Sequence, residues 1–312
     1  DELILSDLFK ERGPDIAGML ESCYDCEVKF IELDGLQQTQ VEKLLRNEKP
    51  DLVVQSASLI SPWAMHGRTD KVAKALSQAG LGIQLPAQLP ILTTAMEAIR
   101  EVDFNGPVAN LSYPDVAHAI LDRFGLAPTI GLGNVSISHL RVRAAIRKNL
   151  IHEDVFADSF PLIRLVSHHH QVYGVMEAKT PNDPSEYCRV YLGEDGRRAD
   201  ELAYQGYPIT PGIDFNIITA AAALPVILAL LPGAEPLRFS VPAPKALPGG
   251  YPVIIRDGYV ELDLPENADL QEAVDFQWQI ARHDGVEKVT EEGTVLFSDQ
   301  TINTQKTQNY PL

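Results

Sequence analysis

The chain has 312 residues, 45% of them apolar and 22% charged, a balance that suits a globular protein with a large core, divided between two domains. Its formal net charge of −17 excludes a nucleic-acid partner, because phosphate backbones demand clustered Lys and Arg, and it disfavours anionic membrane surfaces. No apolar run reaches the roughly 18 residues of a membrane span, and a cytoplasmic protein is expected.

From the start, Leu3 to Asp7 is a short buried strand ending in an acid. A helical stretch around Ile16, Ala17, Met19 and Leu20 follows, then a strand over Val28 to Leu33 and a helix over Gln40 to Arg46. Asp51 to Ala57 is an apolar run suited to a central parallel strand. Helices over Lys71 to Ala79 and Pro90 to Arg100 lead to a strand over Val108 to Ser112, which Pro114 stops. Asp115 to Phe124 is a helix with an acid at its N-terminus, and Thr129-Ile130 is the next strand. Strands alternating with helices imply right-handed crossovers and a parallel sheet, with ligands at the carboxyl ends of the strands. Asp7, at such an end, is either a ribose-binding acid or a solvated turn aspartate.

Cys23, Cys26 and Cys188 are too few for a disulfide framework. Cys23 and Cys26 have a CxxC spacing, but a zinc site needs two further ligands and none stands nearby, so no metal is expected.

Glycines at 131 and 133 allow a tight turn into a helix with apolar Ile137, Leu140, Ala144, Ala145 and Ile146, and with Arg141 and Arg143 between them. An arginine half-buried there needs an anionic partner, a substrate carboxylate or an acidic neighbour. The strand Leu162 to Val166 ends on His168, His169 and His170. If that strand continues, His170 points to the opposite face from His169, and adjacent histidines diverge too far to chelate a metal unaided. They either end a strand at the surface or supply a proton at neutral pH, with His169 first and His168 next. An arginine for a carboxylate and a histidine for a proton are the minimum equipment for reducing a 2-oxo acid.

Past residue 150 the pattern is α+β. The long apolar helix Ile217 to Leu231 precedes strands at Leu237 to Val241, Tyr251 to Ile255 and Tyr259 to Leu264, with Asp257-Gly258 as a hairpin turn. Gln271 to Arg282 is a helix, His283-Asp284-Gly285 and Glu292-Gly293 read as turns of a closing hairpin, and the polar tail after Ser298 shows no periodicity.

In order and spacing these pieces resemble the lactate/malate dehydrogenase superfamily over nearly the whole chain. Leu3 to Asp7 is similar to the family's second strand with its ribose acid, and Asp51 to Ala57 to the fourth strand beneath the cofactor. Asn110 to Pro114 sits at the strand ending in Ser/Thr-Asn-Pro. Gly131 to Asn134 with Arg141-Val-Arg143 resembles the domain-crossing Leu-Asp-x-x-Arg-x-Arg motif, and Ser167 to His170 the Gly-Glu-His-Gly of the catalytic histidine. The resemblance implies a Rossmann-type α/β dinucleotide-binding domain over 1–133 and an α+β substrate domain over 134–312. It implies His169, or His168, as acid/base with Arg141 as carboxylate anchor. Asp7, Ser56, Ala57, Asn110 and Tyr113 would lie along NAD, with NADP kept open by Lys10 and Arg12. Arg68 (mobile loop), Ser138, Thr210, Ile213 and Asn216 would line the substrate, a 2-hydroxy/2-oxo acid or related carbonyl compound. A homodimer or homotetramer is implied as well.

The departures from the family are specific. On this alignment the glycine-rich pyrophosphate loop and its strand lie ahead of Asp1. Ser138 stands where the family has the aspartate that orients its histidine, leaving Glu177 or Asp214 to substitute, and Tyr113 stands where it has an asparagine. These changes argue against lactate or malate as substrate. They motivate a second reading, a non-catalytic nucleotide-binding or regulatory relative. A third, an NAD-using glycosidase of the same fold, expects a metal-holding cysteine beside Gly133-Asn134, and none is there.

Overall fold

A computed structural model describes residues 2–65, 67–152, 160–210 and 212–307. The first part alternates strand and helix: β1 (Glu2–Asp7), α1 (Gly13–Cys23), β2 (Glu27–Glu32), α2 (Gln38–Glu48), β3 (Val53–Gln55), α3 (Lys71–Ala79), α4 (Leu85–Glu101), β4 (Val108–Asn110), α5 (Pro114–Asp122) and β5 (Ile130–Gly131). All pairing here is parallel, in two sheets: β1 with β2, and the order β3-β4-β5. The sequence suggests one continuous sheet, but no described strand hydrogen-bonds to both β1 and β3. In a doubly wound sheet of order 3-2-1-4-5-6 the strand between those two is the one that carries the glycine-rich loop.

The chain then enters α6 (Asn134–His152), β6 (Ile163–Val166), α7 (His169–Glu177), β7 (Arg189–Leu192), β8 (Arg197–Arg198) and α8 (Phe215–Ala229). It closes with β9 (Leu237–Pro242), β10 (Gly250–Arg256), β11 (Tyr259–Leu262), α9 (Leu270–Ala281), β12 (Val286–Val289), β13 (Val295–Phe297) and α10 (Asp299–Thr307). Every pairing in this part is antiparallel: β6-β7-β8, β9-β10-β11 and β12-β13. Among the described residues, the sheets β6-β7-β8 and β9-β10-β11 are joined by the bridge Ser167 to Gly250.

Helix α6 is the beam between them. Val135, Ile137, Val142, Ala145 and Ile146 are buried on more than one side, so its apolar residues do not form the single stripe of a surface helix. Val135, Val142 and Ile146 pack with Ile163, Leu165, Val175 and Val190, while Ile137 packs with Val172, Met176 and Phe215. At roughly 1.5–3 kcal/mol for each large side chain removed from water, these contacts hold α7 and α8 to the beam.

Two expectations are corrected. The chain does not run on as a strand through the histidines, because His168 stops it. His168 is extended at the N-cap of α7, its Nδ1 accepts the His170 N–H at 3.3 Å, and Gln171 Oε1 accepts the His168 N–H at 2.8 Å. This reciprocal pair satisfies two donors that a helix start otherwise leaves open. Beyond Ser298, where the sequence shows no periodicity, Asp299–Thr307 form α10, in which buried Thr301 donates from Oγ1 to the Ala79 carbonyl at 2.6 Å. One fixed hydrogen bond thus docks a helix whose sequence carries no periodic apolar face.

Candidate active site

The N-terminus of α7 brings three imidazoles around one buried carboxylate, that of Asp284. His169 Nδ1 lies 2.6 Å from Asp284 Oδ2, His170 Nδ1 3.5 Å from Oδ1, and His168 Nδ1 3.6 Å from Oδ2. Only the first is a strong hydrogen bond; 3.6 Å is beyond the range. A carboxylate only accepts, so His169 carries its proton on Nδ1. The second ring nitrogen, Nε2, has no hydrogen-bond partner among the described residues. His168 Nδ1 already accepts a backbone N–H, which makes it the neutral cap of the helix.

Further groups hold this pair in place. Asp115, buried in the first turn of α5, accepts the His169 N–H at 2.9 Å on Oδ1 and the Asn134 side-chain amide on Oδ2. It thereby ties the starts of α5, α6 and α7 together. The Tyr113 hydroxyl lies 3.4 Å from Asp284 Oδ2, and its ring meets the His169 ring edge-on at 5.4 Å. Tyr173 meets the same imidazole edge-on from another side at 5.6 Å. Behind the dyad, His170 stacks on His283 at 4.9 Å, and His283 Nε2 lies 3.1 Å from Glu186 Oε1.

The electrostatics follow. Burial opposes a charge on His169, but the Asp284 carboxylate outweighs it and raises the imidazole above its ordinary pKa. Burial likewise pushes the Asp284 carboxyl up, yet His169, with His170 and His168, holds it far below the usual carboxylate range. His168 is lowered by burial. Burial holds the Tyr113 phenol well above its usual range, and pushes Tyr173 up to about 12. The result is an imidazole oriented and charge-stabilised by a fixed anion, with its outer nitrogen open for proton transfer.

The other expected residues fall in several places. Asp7 is exposed at the carboxyl end of β1, where Oδ1 accepts the Phe9 N–H at 2.9 Å. Ser56 and Ala57 are exposed just past the carboxyl end of β3. Asn110 is fully buried and occupied within the protein: Oδ1 accepts the Ser112 N–H at 2.8 Å, and Nδ2 donates to the Ser112 carbonyl at 3.1 Å and to His118 Nε2 at 3.1 Å. It shapes the turn into α5 rather than facing a cofactor. Arg68 is exposed and bonds Asp70 at 2.8 Å.

Ser138 is fully buried with its hydroxyl unpaired, so it faces the core and not a substrate. Thr210 and Ile213 are exposed, and Asn216 accepts from Trp63 Nε1 at 2.9 Å. The residue of this segment that turns inward is Phe215, between Trp63 at 5.6 Å and Tyr173 at 6.5 Å.

Arg141 is placed away from His169. Its Nη2 donates to the carbonyls of Tyr207 and Met176, and Gly206 lies flat against the guanidinium, where any Cβ would overlap it. Met176 is seven residues beyond His169 on α7, about 10 Å along the axis at 1.5 Å per residue. A 2-oxo acid carries its carboxylate and carbonyl on adjacent carbons, so it cannot span the two. The acid expected at Glu177 or Asp214 is also corrected: Glu177 pairs with Lys179 at 2.8 Å, and the carboxylate at the histidine is Asp284. The local sequence offered His283-Asp284-Gly285 only as a turn.

Two cavities bear on function. One of about 250 Å³ lies behind the dyad, lined by His170, Gln171, Lys179, Tyr204 and His283. A larger one, about 700 Å³, is lined by Lys49, Asp51, Asp103, Pro107 and Asp257. Asp51 and Pro107 precede β3 and β4, so it lies at the amino ends of those strands, away from the end where parallel sheets hold their ligands. Its size is therefore outweighed by the chemistry at α7.

No protein-family model and no curated protein matches the chain. Among solved structures it is similar to a candidate glucosidase, lplD of Bacillus subtilis, with a TM-score of 0.52 and 13% identity over 91% of this chain and 84% of that one. It also aligns with MGS-M5, a lactate dehydrogenase from a Medee basin deep-sea metagenome library, with a TM-score of 0.47 and 14% identity over 91% and 90% of the two chains. At such identities what is shared is the fold, a mixed α/β arrangement with parallel-strand sheets.

Proposed function

We propose that this chain is a nicotinamide-dependent oxidoreductase that interconverts a secondary alcohol and a ketone, with His169 as the acid/base and Asp284 as its orienting partner. The observation that carries the reading is the 2.6 Å contact between His169 Nδ1 and buried Asp284, which leaves Nε2 open. Nε2 takes the hydroxyl proton as the carbinol carbon is oxidised and returns it in reduction. Asp284 stabilises the imidazolium that forms, and Tyr113 and Tyr173 pack around the ring to limit water at the proton.

The residues at the strand ends fit a dinucleotide. Asp7 offers an exposed carboxylate suited to ribose hydroxyls, and Ser56 and Ala57 are exposed past β3. The nicotinamide, when bound, supplies the hydride acceptor. Arg141 is committed to main-chain carbonyls, so the substrate class is set by the alcohol or ketone and not by a carboxylate at Arg141.

The test is NADH binding followed by nicotinamide absorbance with a panel of ketones and 2-oxo acids. His169→Asn and Asp284→Asn should each lower kcat by about 10²–10⁴-fold, while Arg141→Gln leaves it within a few-fold. The buried, unpaired Ser138 and the occupied Arg141 favour a second reading, a nucleotide-binding relative without turnover. NADH binding with no turnover of any panel member would establish it instead. The glycosidase reading is disfavoured because the cysteine it expects beside Gly133-Asn134 is not in the sequence, and the buried cysteine, Cys188, lies against Ser167 Oγ at 3.3 Å.

A further inference from the structure

The open nitrogen of His169 has a companion one helical turn away. His169 and Tyr173 stand at i and i+4 of α7, so they share a face of the helix. Side chains on a helix lean toward its N-terminus, so Tyr173 leans back over the turn that carries His169, and its ring meets the imidazole edge-on at 5.6 Å. Phe215, at 6.5 Å, backs the phenol ring and is itself braced by Trp63 at 5.6 Å. The ring is thus held by packing with Val172, Met176 and Phe215, but the hydroxyl is not used there. It has no hydrogen-bond partner among the described residues and, like His169 Nε2, it is not sealed from solvent. The neighbouring polar groups are taken. The buried Tyr113 hydroxyl faces Asp284 at 3.4 Å, His168 Nδ1 caps α7, and the oxygens of Asp115 accept the Asn134 amide and the His169 N–H.

We propose that Tyr173 is a second catalytic residue, its hydroxyl donating a hydrogen bond to the same substrate oxygen that exchanges a proton with His169 Nε2. The proposal rests on the oxidoreductase reading above. An oxygen that passes between carbonyl and hydroxyl gathers negative charge in the transition state, and a donor aimed at it in advance stabilises that state more than the ground state. In reduction the carbonyl carbon gains hydride from the nicotinamide, and the C=O π pair moves onto oxygen. Nε2 gives its proton to that oxygen, while Tyr173 keeps its own proton and only donates. Oxidation reverses each transfer. Burial and the Asp284 carboxylate push the Tyr173 phenol up to about 12, so it stays protonated at working pH and leaves the role of base to His169.

The test is Tyr173→Phe, which removes one oxygen and keeps the ring packing, assayed in NADH-linked reduction of the ketones that the parent chain accepts. Its kcat should fall by about 10²-fold, with KM within a few-fold and the His169 limb of the pH profile where the parent has it. A limb displaced to another pH would mean that the phenol only positions the imidazole, and would overturn the proposal. A folded Tyr173→Phe chain with the parent kcat would overturn it as well. A second readout does not depend on turnover. Binding of trifluoroisopropanol to the chain with NAD, followed by fluorine NMR, should weaken by roughly 2- to 10-fold in Tyr173→Phe, the effect of one hydrogen bond to a neutral ligand. If the parent chain reduces no ketone, the oxidoreductase reading fails, and this binding decides on Tyr173 alone. Weaker binding then still assigns its hydroxyl to a ligand oxygen; equal affinity in both chains, or no binding to the parent, overturns the proposal.

Discussion

The Asp284 carboxylate sets the state of the candidate acid/base, and its effect has a sign that can be measured. His169 is raised in the folded chain, so its pairing contributes stability that is fully present below pH 6.5 and is lost as pH rises through the folded-state value. Asp284→Asn should remove that alkaline loss and shift the His169 limb of the kcat profile to lower pH. An unchanged limb would mean that another group titrates. Two core histidines act with the opposite sign. Burial lowers His118 to about 4 and His139 to about 3, so protonating either one costs folding free energy. His118 is held neutral between the Ala243 carbonyl at 3.2 Å and the Asn110 amide at 3.1 Å; His139 lies 3.1 Å from Ser240 Oγ. Stability should therefore fall as pH drops from 6.5 toward 4, by roughly 6 kcal/mol for the two together by pH 4. Urea titrations at successive pH values, with His118→Asn as the flattened comparison, measure this; a midpoint constant from pH 7 to 4.5 would contradict it.

At the level of elements, α7 and the turn that carries Asp284 decide whether the dyad forms. Gln171 serves the cap twice, accepting the His168 N–H and donating to the Glu186 carbonyl at 2.6 Å. Gln171→Ala should cost about 1–2 kcal/mol in urea unfolding. It should also reduce turnover beyond what that stability loss explains, because the start of α7 sets the His169 ring. Two glycines seat the turn on α3. Gly80 (φ +87°) lies against the Asp284 main chain, with any Cβ 2.4 Å from the Asp284 carbonyl carbon. Gly285 (φ +91°) faces the Ala79 carbonyl in the same way. Gly285→Ala should both destabilise the chain and displace Asp284, visible as a lowered His169 pKa by NMR titration. Full activity with an unshifted imidazole would show that the turn has slack.

At the scale of the whole molecule, the chain is a parallel part and an antiparallel part joined by α6, with the dyad at their junction: Tyr113 and Asp115 come from the first, His169 from the second, and Asp284 from the far end of the sequence. Exposed Ile217, Leu224 and Leu228 on α8 add a surface that a folded monomer leaves open. Phe215 at the start of that helix stands beside Tyr173, which packs on His169.

What the sequence determined by itself is the order of elements and the position of a histidine cluster just past a buried strand. Periodicity is a local property, and it placed β1 through α5, the apolar α8 and the hairpin at Asp257-Gly258 within a few residues. A histidine cluster at the end of a buried strand was legible for the same reason, since imidazole is the side chain that titrates near neutral pH. Tertiary structure alone decided which groups meet. His169 and Asp284 are 115 positions apart, so no spacing rule connects them. Arg141 lay within reach of a carboxylate on paper, yet the fold turned its guanidinium onto the carbonyls of Tyr207 and Met176. The physical reason is common to both. A buried charge takes whatever partner the packed chain presents to it, and that partner is set by how helices and turns pack, not by their order along the sequence.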